Sequence, residues 1–194
     1  MTNEALYKII QMVLENKSEI VRLADYLDPA ELGRGILAIP EELVNAGLRP
    51  YIMGLSPMIS DYKLKFSDGS IALFAEADVP KVGAVKLNYL FTVNELAFGN
   101  SGRRLIASFS EQAEAAGTMG KMALSALKLK GPLLETAAQL AKAKVNLGDA
   151  IYVSGNSLAV DIDNLPVAHK IPKELNLQYI GSDNGQLKLR YWLD

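Results

Sequence analysis

The apolar positions of this chain repeat with a period near four, then two, then near four, then two again. Over residues 3–27, Leu6, Ile9, Ile10, Val13, Leu14, Ile20, Val21 and Leu27 fall at three- and four-residue steps, with Glu4, Lys8, Glu15, Lys17 and Arg22 on other faces. That spacing predicts an amphipathic helix. "DPAELGRG" interrupts it, and "PEELVNAG", with Pro40 at a helix start, acids in the first turn and Gly47 as a stop, predicts a short helix over 40–46. From Ser60 the period becomes two: Tyr62, Leu64 and Phe66 share a face, "SDG" turns the chain, and Ile71, Leu73, Ala75 and Ala77 return. "VKLNYLFTV" is the cleanest alternation, with Val85, Leu87, Tyr89, Phe91 and Val93 on one side. After "GNSG" at 99–102, Leu105, Ala107 and Phe109 again share a face. A meander of about four strands is therefore expected over 60–110.

Residues 111–146 are rich in Ala, Leu, Met, Glu and Lys, with Met119, Met122, Leu124, Leu127, Leu134, Ala137 and Leu140 at helical spacing. Gly131-Pro132 divides them into expected helices at 111–129 and 132–146, because Pro is tolerated in a first turn and breaks an interior. Two further hairpins close the chain over 150–193, one turning at Gly155-Asn156 and one in "LQYIGSDNGQLKLRYWL". With no strand-helix-strand alternation, the expected fold is α+β: curved antiparallel sheets packed on long Ala/Leu-rich helices, in a single domain spanning 1–194.

Two segments resemble each other. "DGSIALFAEADVP" (68–80) and "GNSLAVDIDNLP" (155–166) both leave a turn through Ser, a branched apolar residue and Ala, and end on an apolar residue before Pro. An internal duplication is one reading of this likeness, and the alternation that any pleated strand requires is the other. The second half, with its Ala/Leu-rich stretch, strand pair, Leu165-Pro166 element and closing pair turning at Asn184-Gly185, resembles the bacterial LmeA-like phospholipid-binding family over residues 60–194. The resemblance implies half of a tubular lipid-binding fold, in which a long helix lies in a strongly curved sheet and the groove between them holds acyl chains. Members of that family are typically exported.

Charge and composition narrow the classes of function. A net charge of −2, with basic residues interleaved among acids, argues against nucleic acid as a partner. The chain has no cysteine, which excludes disulfides, thiolate nucleophiles and cysteine-ligated metals. Its first residues, "MTNEALYKII", lack a basic region leading into an uninterrupted apolar one, and no run approaches the roughly 18 apolar residues of a membrane-spanning helix. A cytoplasmic protein without transmembrane segments is the expectation. Residues 103–144 carry seven basic against three acidic side chains, so the basic helices either offset acidic N-terminal helices within the fold or face an anionic lipid headgroup through Lys121, Lys128 and Lys130.

No spacing announces chemistry. His169 is the sole histidine and has no carboxylate or second imidazole at triad or ligand spacing, so a surface or capping role is expected. Asp161 and Asp163 could offer oxygen ligands, but Leu165 and Pro166 stand where a calcium loop needs an oxygen and a glycine. "GTMGKM" lacks the first glycine and the hydroxyl residue of a phosphate loop, and Ser101 and Ser157 sit at turns. The expected function is non-catalytic binding of a hydrophobic or lipid-like ligand, with no cofactor and no metal. Its groove is assigned to Leu73, Leu87, Tyr89, Phe91, Met122, Leu127, Leu134 and Val160. The alternative is a scaffold that engages a partner protein, or a second copy of itself, through residues 3–27.

Overall fold

The structure, a computed structural model, describes residues 28–129, 131–144, 150–165 and 174–193. The helix expected at 3–27, with the partner or homodimer face assigned to it, lies outside the described residues, as do Lys130 and His169.

Turn chemistry builds the hairpins. Strands β2 (Ile59–Ser67) and β3 (Ser70–Val79) flank Asp68 and Gly69, whose φ angles are 42° and 76°. Strands β8 (Leu175–Asp183) and β9 (Gln186–Leu193) flank Asn184 and Gly185, at 47° and 75°. Two consecutive left-handed residues match the twist of the flanking strands, and Asp-Gly and Asn-Gly tolerate that conformation best. Between these hairpins, β4 (Gly83–Gly99) and β5 (Gly102–Ala115) form a long antiparallel pair. The strands β6 (Ile151–Ser154) and β7 (Ser157–Asp161) make the remaining hairpin.

The nine strands of the described residues form one sheet around β4 and β5. One edge of β4 pairs with β3 from Gly83 to Phe91 and then with β8 at Phe98–Leu177, while its other edge pairs with β5 along its length. A bulge between Val93 and Glu95 shifts the register where one partner gives way to the next. The outer edge of β5 takes β7 over Arg104–Ser108, and β8 carries β9 and then β1 (Ile36–Pro40). The two similar segments thus do similar work, since β3 and β7 are each the returning strand of a hairpin laid on the central pair. The likeness stops there: β4 follows β3 and pairs with it, whereas β8 follows β7 and pairs with β4 and β9.

The expected sheet on long helices is not what forms. The described helices α1 (Pro29–Gly33), α2 (Glu41–Leu55), α3 (Gly117–Lys128) and α4 (Leu133–Lys144) have 5, 15, 12 and 12 residues, and the fold is mostly antiparallel sheet. Residues 111–115, expected as helix, complete β5 because Glu111, Ala113 and Ala115 alternate opposite Tyr89, Leu87 and Val85. Left-handed glycines at 117 (φ 69°) and 131 (φ 125°) then cut the Ala-rich stretch into two short helices. β1 is too short for its alternation to register, and it forms because β9 offers it a full antiparallel ladder from Arg190 to Gln186.

The helix expected to stop at Gly47 continues through it and through Pro50. Its anchor is Asn45, whose amide Nδ2 donates to the Leu64 carbonyl at 2.9 Å while its Oδ1 accepts the Leu64 N–H at 2.7 Å. Glu41 adds an Oε2 that accepts the Phe66 N–H, and the Tyr62 hydroxyl donates to the Asn45 carbonyl. Packing against β2 overrides the local helix breakers. The tips of the two outer hairpins also meet, where the Gly69 N–H donates to the Ser182 carbonyl at 2.7 Å and the Gly185 N–H to the Phe66 carbonyl at 3.0 Å.

A buried cluster of Val82, Val85, Ala115 and Leu124 seats α3 on the sheet, with Leu87, Ala113, Leu127 and Leu133 around it. Gly120 makes that close approach possible, since a Cβ there would stand 2.7 Å from the Val82 carbonyl oxygen.

Two substitutions check this account. Asn45→Ala leaves the Leu64 peptide group without its partners and is expected to cost about 2–3 kcal/mol in urea unfolding. Gly120→Ala gains about 1 kcal/mol of helix propensity, yet the overlap is with backbone that cannot rotate away. Net destabilisation is therefore expected, and a rise in the unfolding midpoint would contradict the packing described.

Candidate apolar binding face

Residues directly opposite one another in an antiparallel pair share a face. On the face that carries α3, Leu73 stands opposite Leu64 and Tyr89, Phe91 opposite Ile71 and Phe109, and Leu87 opposite Ala75 and Ala113. Beyond the bulge the same face continues through Val93, Leu96 and Leu105 to Val160, which pairs with Leu105 and Ile151. Three rings occupy its centre: Tyr89 lies 5.9 Å from Phe91 and 6.1 Å from Phe109, and Phe91 lies 5.8 Å from Phe109. Tyr89 and Phe109 are buried, but Ile71, Leu73, Phe91, Leu96, Leu105 and Val160 are only half-buried.

The sequence-assigned residues divide accordingly. Leu73, Leu87, Tyr89, Phe91 and Val160 share this face, and Leu127 joins Leu87 in the packing around the α3 cluster. Leu134 is half-buried in the first turn of α4. Met122 is not among them: it is 67% exposed, because α3 turns Gly120 and Leu124 toward the sheet and Met122 away from it. Lys121 and Lys128 are exposed on the same helix. Phe109 belongs to the site and was visible in the alternation of 105–109.

Glu111 left no signal, since its neighbourhood read as helix. From β5 its carboxylate accepts the Leu133 N–H on Oε1 and the Leu134 N–H on Oε2, both at 3.1 Å. Those two donors belong to the first turn of α4 and have no partner within the helix, so a strand residue caps the helix across space. Burial, and secondarily the neighbouring Glu111 carboxylate, push the Tyr89 phenol well above its ordinary range. The centre of the face therefore presents a neutral phenol.

At the far end of the face, the Arg103 side chain is 3% exposed, with its guanidinium 4.8 Å from the Phe98 ring centre and its Nε 3.8 Å from Asp163 Oδ1. Asp163 Oδ2 also accepts the Arg103 N–H at 3.0 Å, and Asp161 accepts from the Asp163 N–H and the Asn164 amide. The paired aspartates thus hold a 3₁₀ turn (Ile162–Asn164) against β5.

The opposite face of the sheet differs in kind. Asp61, Lys63, Glu76, Lys86 and Asn88 stand exposed around a shallow depression of about 270 Å³, with Phe74 beneath the Lys65 ammonium. Its Lys86–Glu76 pair, 3.6 Å apart, is solvated and contributes little. Among the described residues, no helix is long and apolar enough to cross a membrane.

The raised phenol has a measurable consequence. Below about pH 10 Tyr89 is protonated in both the folded and unfolded chain and adds no pH dependence. Above it the unfolded chain ionises first, so stability should fall as pH rises. Urea midpoints between pH 9 and pH 11 should fall less steeply in Tyr89→Phe than in the wild type; parallel curves would contradict the burial described.

Comparison with protein-family models, with curated proteins and with solved structures finds no match for this chain.

Proposed function

We propose that this protein binds a hydrophobic or lipid-like ligand, without turning it over, on the helix-bearing face of the sheet. The observation that carries the reading is the mismatch between that face's chemistry and its burial. Its side chains are mostly apolar from Leu64 on β2 across the central pair to Val160 on β7, yet beside the buried Tyr89 and Phe109 the described Leu64, Ile71, Leu73, Phe91, Leu96, Leu105 and Val160 are only half-buried. The helix α3 packs near Val85 and Ala115 and α4 runs from Leu133 toward β6, yet Ile71, Leu73, Phe91, Leu96 and Leu105 stay half-buried. An apolar surface left half-covered gains on the order of 25 cal/mol for each Å² that a ligand removes from water. The polar groups within reach, the Tyr89 phenol and the Glu111 carboxylate, are already engaged with each other and with α4, which suits an aliphatic body better than a charged one.

Mass spectrometry of the purified protein, native and after organic extraction, tests the proposal. A stoichiometric apolar molecule is expected, together with saturable binding of a fluorescent fatty-acyl probe that weakens about tenfold in Leu73→Gln, the effect of losing one apolar contact of 1–2 kcal/mol. A clean protein mass together with no saturable probe binding would overturn it.

A further inference from the structure

The outward face of α3 is built for something other than the sheet. Met119, Met122 and Leu129 are 80%, 67% and 89% exposed. With exposed Ala126 between them, their spacing of three and four residues places them on one stripe turned away from the buried Gly120 and Leu124. Lys121 and Lys128, seven residues apart and both exposed, run along one flank of that stripe. From Ala115 to Leu134 the chain contains no acidic residue, while Lys121, Lys128 and Lys130 are basic. Met119, Met122 and Leu129 are the three most exposed of the large hydrophobic side chains among the described residues.

We infer that α3 docks this protein on the surface of an anionic lipid bilayer, with Met119, Met122 and Leu129 entering the headgroup–acyl boundary and Lys121 and Lys128 reaching the lipid phosphates. The charge selects the partner. Lysine stems lie along apolar surface while their ammonium groups seek anions, which is the arrangement of helices that lie in a membrane interface. The size of the patch agrees. Twelve residues of helix are about 18 Å long, so the stripe is far smaller than the roughly 800 Å² per partner of a stable protein interface. A bilayer, being fluid, accepts three protruding side chains without a complementary shape, and the unbranched methionines adapt to it. The surface lies on the far side of α3 from the apolar binding face, so this inference and the ligand reading stand or fall separately.

Co-sedimentation of the full chain with vesicles of phosphatidylcholine alone, and with a third of the lipid replaced by phosphatidylglycerol, tests it. Binding is expected only to the anionic vesicles and is expected to weaken as salt is raised from 0.1 to 0.5 M. Lys121→Gln with Lys128→Gln should weaken binding about 25-fold, at roughly fivefold for each lysine. Met119→Ser with Met122→Ser should weaken it about tenfold or more while leaving the circular dichroism spectrum and thermal midpoint unchanged, since both side chains are exposed. No binding to anionic vesicles overturns the inference. So does binding that neither double variant alters, which would place the contact elsewhere in the chain, and so does a dimer dissolved by the methionine substitutions, which would make a second copy the occupant.

Discussion

Everything in this fold hangs on the pairing of β4 with its neighbours on both edges. A 17-residue strand exposes a long row of peptide donors and acceptors, and each one buried without a partner would cost about 1–3 kcal/mol. No single neighbour satisfies the second edge. β3 serves the first half, β8 touches the far end, and the bulge at Val93–Glu95 re-aims the strand between them. That division of one edge between two hairpins brings their tips together, where Ser182 is buried against the Asp68–Gly69 turn. It also keeps alternate side chains of β5, from Arg103 to Ala115, on one continuous face.

The hairpins were legible because two local signals coincided at each. Alternation predicted the strands, and Asp-Gly, Gly-Asn or Asn-Gly fixed the turns between them. The helices were less legible, because their limits are set by distant residues. Nothing in "EELVNAGLRP" announces that Asn45 will grip Leu64, nineteen positions along, and hold the helix together past Gly47 and Pro50. Glu111 misled for the same reason. A glutamate before an Ala-rich stretch looks like the first turn of a helix, and here it ends a strand and caps a helix that begins at Leu133. β1 has five residues and one partner, too little pattern for any period to be read.

The apolar face was half legible. Leu73, Leu87, Tyr89 and Phe91 could be placed together because alternation along β3 and β4 puts them on one side, and cross-strand register follows from the turn. Which side of α3 would meet them could not be read, since Met122 and Leu124 are equally apolar and only the absence of a Cβ at Gly120 decides between them. A sheet with one charged and one apolar face keeps its solvated charges on the side away from the half-buried apolar side chains.

The amide of Asn45 stands where a neighbouring strand's peptide group would stand, donating to and accepting from the same residue of β2. Glu41 and Gly185 take the N–H and carbonyl of Phe66, the next outward-facing position. Two positions on the outer edge of the nine-residue strand β2 are thereby occupied, and the terminal strands β1 and β6 have five and four residues. Such short edges offer little template to another chain. An open edge of a sheet this extensive is a template for strand-by-strand pairing, and side chains on a helix occupy part of its longest margin.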